Sequence, residues 1–263
     1  GLNIIQNCLY SLYDSLKTTK YSYEIIVVND NPNIKLENYL QDFSSLKILN
    51  HEINMGHPAA CNNGAKIAIG QNLIFMDCDI FVTDNWLENL YKGFADIPNI
   101  GALSSTILNM NTSKIHMTGV AIHQVDILKI LRGADIKEVK KKYEYFDFLS
   151  SACIMIPREV FCNVGGFDEL FFNSDGDLDL TYRIKKQGYQ LATVFSSIVY
   201  HKGRVAGTMR NISVNDTKAL FFKKWGDTLP DGLNKIQKLF AIFAGKNDIS
   251  KCYILINLCK SIV

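Results

Sequence analysis

Apolar residues recur at helical spacing in the opening segment, at Ile5, Cys8, Leu9, Leu12 and Leu16, and predict an amphipathic helix. The pattern then changes. Glu24 to Asp30 is a continuous apolar run bounded by acids, as expected of a strand buried on both faces of a parallel sheet. Asn31-Pro32-Asn33 breaks the chain, and Leu46 to Leu49 predicts a second strand. Pro58 to Gly70 predicts an Ala-rich helix, with proline near its start and glycine just past its end. Asn72 to Met76 predicts a third buried strand that runs straight into Asp77-Cys78-Asp79. Thr83-Asp84-Asn85 can cap a helix with Trp86, Leu87, Leu90, Tyr91 and Phe94 on its apolar face. Strands that alternate with helices in this way predict an α/β fold with a mainly parallel central sheet flanked by helices. Ligands bind such sheets at the carboxyl ends of strands, where Asp30 and Asp77 fall.

Residues 101–145 show no clear period and include a basic stretch from Lys137 to Lys142. Phe148 to Ile156 predicts a strand stopped by Pro157, Gly165-Gly166 a turn, and Asp177 to Gln187 a helix ended by Gly188. Gln190 to Phe195 and Ile198 to Tyr200 predict the closing strands. Beyond Gly207 the pattern is helical, notably over 217–225 and 233–244. The chain thus divides into a domain at 1–206 and a helical C-terminal segment at 207–263.

Composition narrows the function classes. The chain has 263 residues, 48% of them hydrophobic, which is enough for a large core. A net charge of +2 argues against nucleic acid as the partner. The charge is uneven: from Lys202 onward there are eleven Lys and Arg against four Asp and Glu. Seven cysteines with no CxxC pair predict free thiols and a reducing, cytoplasmic setting. No run reaches the ~18 apolar residues of a membrane span, and no secretory leader opens the chain. The basic C-terminal segment, with Phe221, Phe222, Trp225, Leu239, Phe240 and Phe243, suits either packing on the domain, the preferred reading, or peripheral contact with the inner face of an anionic membrane.

Four groups could carry chemistry. Asp77 and Asp79, two apart on an extended chain, share one side and offer hard oxygen ligands for Mn²⁺ or Mg²⁺. Alone such a triplet is usually a solvated acidic loop; its place at a strand end shifts the balance to metal. Asp175, Asp177 and Asp179 sit at a predicted helix start, as caps or as a general base. Asp179 and Arg183, four apart, also suit an ordinary helix ion pair. His201 follows a strand and is acceptable as a third ligand beside two carboxylates. Lys202, Arg204 and Arg210 read as a solvated basic loop or as a lid over a diphosphate. Asn54 to Gly64 feeds a helix start, where anions are favoured.

In order along the chain, the segments EIIVVND (24–30), NMGHPAACNNGAKIAIG (54–70), LIFMDCD (73–79), GGFDELFF (165–172), GDLDLTYRIKKQGY (176–189) and VYHKG (199–203) resemble the family 2 glycosyltransferases of GT-A fold, particularly bacterial rhamnosyltransferase-like members. The resemblance spans roughly 2–210. It implies an inverting transferase that moves a sugar from a nucleotide-diphosphate donor to a hydroxyl on a saccharide or lipid-linked acceptor, in polysaccharide or glycoconjugate synthesis. It places Asp30, Asn54, Gly56, Asn63, Asp77 and Asp79 on the nucleotide-sugar, with Asp30 at the base. Asp77, Asp79 and His201 would hold the metal, Asp177 would be the catalytic base, and Gly166 and Asp179 would lie on the acceptor side.

Two departures stand out. Gly176 occupies the position where the family usually has Glu, halving its acidic dyad, and Asp175 is a candidate substitute. The family's opening strand is also missing, so the sheet is expected to lack a member. These departures motivate an alternative: a catalytically degenerate nucleotide-sugar-binding module. A nucleotidyltransferase ranks last, because no glycine- and lysine-rich opening loop is present.

Overall fold

The computed structural model describes residues 2–120, 131–202, 217, 219–221, 223–228 and, for their backbone, 252–259. Helix α1 (Leu2–Leu16) buries Ile5, Cys8, Leu9, Leu12 and Leu16, the stripe its spacing predicts. Next come β1 (Ser22–Asn29), β2 (Leu46–Asn50), α2 (His57–Ile67), β3 (Asn72–Asp77), β4 (Ile80–Val82) and α3 (Trp86–Asp96). The middle of the chain supplies β5 (Ile100–Asn109), β6 (Ile115–Met117), β7 (Gly119–Val120), β8 (Tyr143–Tyr145), β9 (Phe148–Leu149) and β10 (Cys153–Pro157). Helices α4 (Arg158–Asn163) and α5 (Gly176–Lys186), then β11 (Gln190–His201) and β12 (Cys252–Cys259), complete the order.

The main sheet runs β2-β1-β12-β3-β10-β5-β11-β4, with β6 on β5 and β8 on β11. The pairings give β1, β2, β3, β5 and β11 one common direction, against which β12, β10 and β4 run. The carboxyl ends of β1, β3 and β11 therefore share one edge. Alternate residues of each central strand serve opposite faces. Ile25, Val27, Ile74 and Met76 pack with α1 and α3, whereas Ile26, Val28, Leu73 and Phe75 pack with α2, α4 and α5. Burial on both faces explains why these strands read as continuous apolar runs.

The unperiodic middle hides a ten-residue interior strand. β5 is buried from Ile100 to Leu108 although it contains Gly101, Ser104, Ser105 and Thr106. Its hydroxyls are satisfied sideways by β11: Ser104 and Thr193 oxygens lie 2.7 Å apart, and Ser105 and Ser197 oxygens 2.8 Å apart. A hydroxyl with a partner costs little to bury, so polar residues stand in the core and blur the pattern. The two predicted closing strands are one strand, β11, with an irregularity between Val194 and Ile198.

The C-terminal segment is not helical throughout. Residues 217, 219–221 and 223–225 are helical, but 252–259 form β12, antiparallel to both β1 and β3. β12 departs from the helical reading of 207–263 and takes the place between β1 and β3. The run from Tyr253 to Leu258 is apolar and β-branched enough for a buried strand, and pairing on both sides satisfies its backbone. The predicted helix over 233–244, with Leu239, Phe240 and Phe243, lies outside the described residues, as do Arg204 and Arg210. Phe221 is fully buried among Val120, Phe148, Phe171 and Tyr182, which supports the packed reading of this part of the segment. Among the described residues no helix is long and apolar enough to cross a membrane.

Candidate active site

β3 ends at Asp77, and the short link to β4 presents Asp79 while burying Cys78. β11 runs antiparallel to β4 and pairs His201 with Ile80, so His201 arrives beside Asp79 across 122 residues of sequence (201 − 79). Its Nε2 lies 3.2 Å from Asp79 Oδ1, and the Lys202 N–H donates to the Asp79 carbonyl at 3.1 Å. One ligand atom from each of Asp77, Asp79 and His201 falls within 4.8 Å of the others. Bonds of about 2.0–2.2 Å span donors up to about 4.4 Å apart, so small side-chain adjustments bring this set onto one ion. Two hard carboxylates and one imidazole suit Mn²⁺ well, and Mg²⁺ less so because it favours oxygen. The chemistry of the donor set therefore fits a divalent cation.

His116, on β6, extends this cluster. Its ring centroid lies 5.2 Å from that of His201, and its Nδ1 lies 3.0 Å from Asn109 Oδ1. Burial, with the His201 charge second, pushes its pKa down to about 4, so the ring is neutral at neutral pH. Nothing local marked this histidine, because it sits in the unperiodic middle and reaches the site only through β5 pairing.

Asp30 follows β1 and is fully buried. Its Oδ1 takes His51 Nδ1 at 2.9 Å and the Met55 N–H at 2.7 Å; its Oδ2 takes Asn54 Nδ2 at 3.0 Å and the Gly56 N–H at 2.9 Å. Neither Asp30 oxygen stands open, since each faces two of the chain's own donors. Asp30 builds the loop 51–56. Asn63 joins the same network, its amide nitrogen 3.1 Å from His51 Nε2. Gly56 has φ +85°, and a Cβ there would meet the Phe172 carbonyl oxygen at 2.3 Å, so only glycine lets this loop pass. Asn54 spends its amide nitrogen on Asp30, while its Oδ1 is buried with no hydrogen-bond partner among the described residues. An orphaned acceptor of this kind suits a ligand hydroxyl or N–H. Asp30→Ala is expected to cost about 2–4 kcal/mol, since four donors lose one buried acceptor. Urea unfolding checks this, and a loss below about 1 kcal/mol would show that the loop stands without it.

Asp177 is the second residue of α5, where the helix dipole favours a carboxylate. Its Oδ1 accepts its neighbour Leu178 N–H at 2.9 Å, and its Oδ2 accepts Ser151 N–H at 3.2 Å. Ser151 lies in the turn that splits the predicted 148–156 strand into β9 and β10. Asp175 caps α5 in a left-handed conformation, φ +60°, and accepts the Thr217 hydroxyl at 2.7 Å. It is thus held by the C-terminal segment rather than offered in place of a dyad glutamate.

Asp179, which the resemblance put on the acceptor side, is held by the chain's own cations. It is fully buried, with Oδ2 2.8 Å from Arg183 Nε and Oδ1 2.8 Å from both Lys224 Nζ and Trp225 Nε1. The helix ion pair was the right reading of its spacing, with two further donors from the segment after 217. Gly166, φ +70°, faces Asn62, whose Oδ1 would lie 2.7 Å from a Cβ there. Asn62 in turn takes the Phe167 N–H and donates to the Phe167 carbonyl, both at 2.9 Å. Gly166 therefore serves a turn that ties the 165–172 segment to α2, and the expectation that it meets an acceptor directly is not supported by its contacts.

Cys61 and His57, on the first turns of α2, complete the site's floor. Burial, then the carboxylates of Asp77, Asp177 and Asp30, push the Cys61 thiol well above its ordinary range. The Asp77 N–H donates to the Ala152 carbonyl at 3.0 Å and the Ser151 N–H to Asp177 Oδ2 at 3.2 Å, so adjacent residues of one turn hold the two acids. Neither Cys61 nor His57 has a one-dimensional signal, since an Ala-rich helix explains the segment.

Comparison with known proteins identifies the family and the fold. The family description "Glycosyl transferase family 2" matches residues 2–165. The O-antigen biosynthesis protein RfbC of Myxococcus xanthus is 30% identical over 211 residues, 74% of this chain and 16% of that protein. The chain spans well under half the length of the curated relatives it matches first. In structure it is similar to GalNAc-T7 solved with UDP, GalNAc and Mn²⁺, with a TM-score of 0.63 and 20% identity over 94% of this chain and 53% of the other. It is also similar to the mannosyltransferase PcManGT of Pyrobaculum calidifontis solved with GDP-Man and Mn²⁺, with a TM-score of 0.59 and 17% identity over 93% and 66%. These two show the GT-A fold.

Proposed function

This chain belongs to glycosyl transferase family 2, and on that premise we propose that it transfers a sugar from a nucleotide-diphosphate donor to an acceptor hydroxyl with inversion. The observation that carries the reading is the Asp77, Asp79 and His201 cluster at the carboxyl ends of the strands. The solved neighbours in this fold bind nucleotides or a nucleotide-sugar with Mn²⁺, which supports the same use of this cluster. Asp77, Asp79 and His201 would hold the cation. When bound, a divalent cation here neutralises diphosphate charge and so favours departure of the nucleotide. Asn54 Oδ1 offers an unused buried acceptor to the nucleoside side. Asp177, fixed by two backbone N–H groups, takes the proton of the acceptor hydroxyl as that oxygen attacks the anomeric carbon. The acceptor in this reading is a saccharide or a lipid-linked acceptor.

A panel of nucleotide-sugars with Mn²⁺, assayed for nucleoside diphosphate release with and without sugar acceptors, tests this reading. Release above background for one donor, with an inverted product anomer by NMR, is the expected result. Donor binding without any release would instead favour the non-catalytic module, the reading that Gly176 motivates.

A further inference from the structure

We propose that His57 is a positioning residue for the Asp177 carboxylate, acting through Ser151. The inference rests on the reading of Asp177 as proton acceptor and deepens it. Three separate elements meet here: the start of α2, the turn between β9 and β10, and the start of α5. The Ser151 N–H donates to Asp177 Oδ2 at 3.2 Å, and the Ser151 hydroxyl oxygen lies 3.5 Å from His57 Nε2. His57 Nε2 also lies 3.4 Å from Cys61 Sγ, a thiol held protonated by burial. His57 is anchored at its backbone and at its ring. Its backbone N–H donates to the Phe172 carbonyl at 2.9 Å, and its ring stands edge-on to Phe167 with centroids 5.4 Å apart.

Gly176 supplies the reason for a histidine here. A Cβ at 176 would already lie 3.2 Å from Pro58 Cγ and 3.4 Å from Phe171 Cβ. The first turn of α2 thus occupies the space over the start of α5 that a longer side chain at 176 would need. From that side the chain offers the His57 imidazole, one serine away from Asp177. By fixing the Ser151 hydroxyl it fixes the turn whose N–H aims Asp177. Near-attack geometry is steep: a misplacement of about 1 Å can cost about 10²-fold in rate.

The test uses the full chain and two independent readouts. The chain has five histidines, so the His57 ring can be followed by NMR without substrate. Ser151→Ala and Asp177→Asn are each expected to shift the His57 Nε2 resonance; an unmoved resonance in both overturns the inference. In transfer assays His57→Phe keeps the ring contact with Phe167 but removes the nitrogen. It is expected to lower kcat about 10- to 100-fold with donor KM within about twofold, and His57→Gln to recover most of that loss. Unchanged kcat, or a rise in KM alone, overturns the positioning role. Should the unmodified chain transfer no sugar, the proposed function falls, while the ring resonance still decides the His57–Ser151–Asp177 link.

Discussion

Asp177→Asn is expected to abolish most sugar transfer while leaving the fold and donor binding in place. Asparagine keeps the shape and still accepts the Ser151 N–H at its oxygen, but it cannot take a proton. General base catalysis contributes about 10²–10⁴-fold, and a kcat loss in that range is the expected result. Donor KM, by contrast, should change little, because Asp177 is grouped with the acceptor step rather than with the metal cluster. A kcat within about threefold of the unmodified chain would remove Asp177 from the mechanism. Gly176 makes this measurement sharper, since no neighbouring glutamate is present to take over.

Asp79→Ala carries the second large effect, and it acts on binding. Asp79 is one of three ligand candidates, and His201 Nε2 is oriented against its Oδ1 at 3.2 Å. Losing even an outer partner of a metal ligand costs about 10–100-fold in affinity, so losing a direct ligand should cost at least about 100-fold. Isothermal titration of Mn²⁺, and of a nucleoside diphosphate with and without Mn²⁺, checks this. Nucleotide binding is expected to require Mn²⁺ in the unmodified chain and to vanish in the variant. Metal-independent binding, undiminished in Asp79→Ala, would overturn the metal-dependent reading while leaving the family and fold untouched.

Much of this architecture was legible one residue at a time. The α1 stripe at Ile5, Cys8, Leu9, Leu12 and Leu16 follows from period alone, as do β1 and β3, whose unbroken apolar runs require burial on both faces. Those runs end in acids, which located the ligand edge of the sheet before any contact was known. The DxD spacing at Asp77 and Asp79, and the i,i+4 pairing of Asp179 with Arg183, are likewise local properties of extended and helical backbone.

What local pattern could not decide is anything set by partners distant along the chain. β5 carries serines and a threonine in its interior, and β11 makes that tolerable, by meeting Ser104 and Ser105 with hydroxyls and the Thr106 hydroxyl with the Val194 carbonyl. Asp30 lies at a strand end in either account, yet only the fold shows that four donors from 51–56 meet there and make it a loop anchor. β12 reads as ordinary apolar sequence until β1 and β3 stand apart at its own width. The sequence by itself determined the α/β class, the strand ends and the identity of the acids. Tertiary structure decided which of those acids the chain's own donors take up, because burial and hydrogen-bond satisfaction depend on neighbours that pairing, not spacing, brings together.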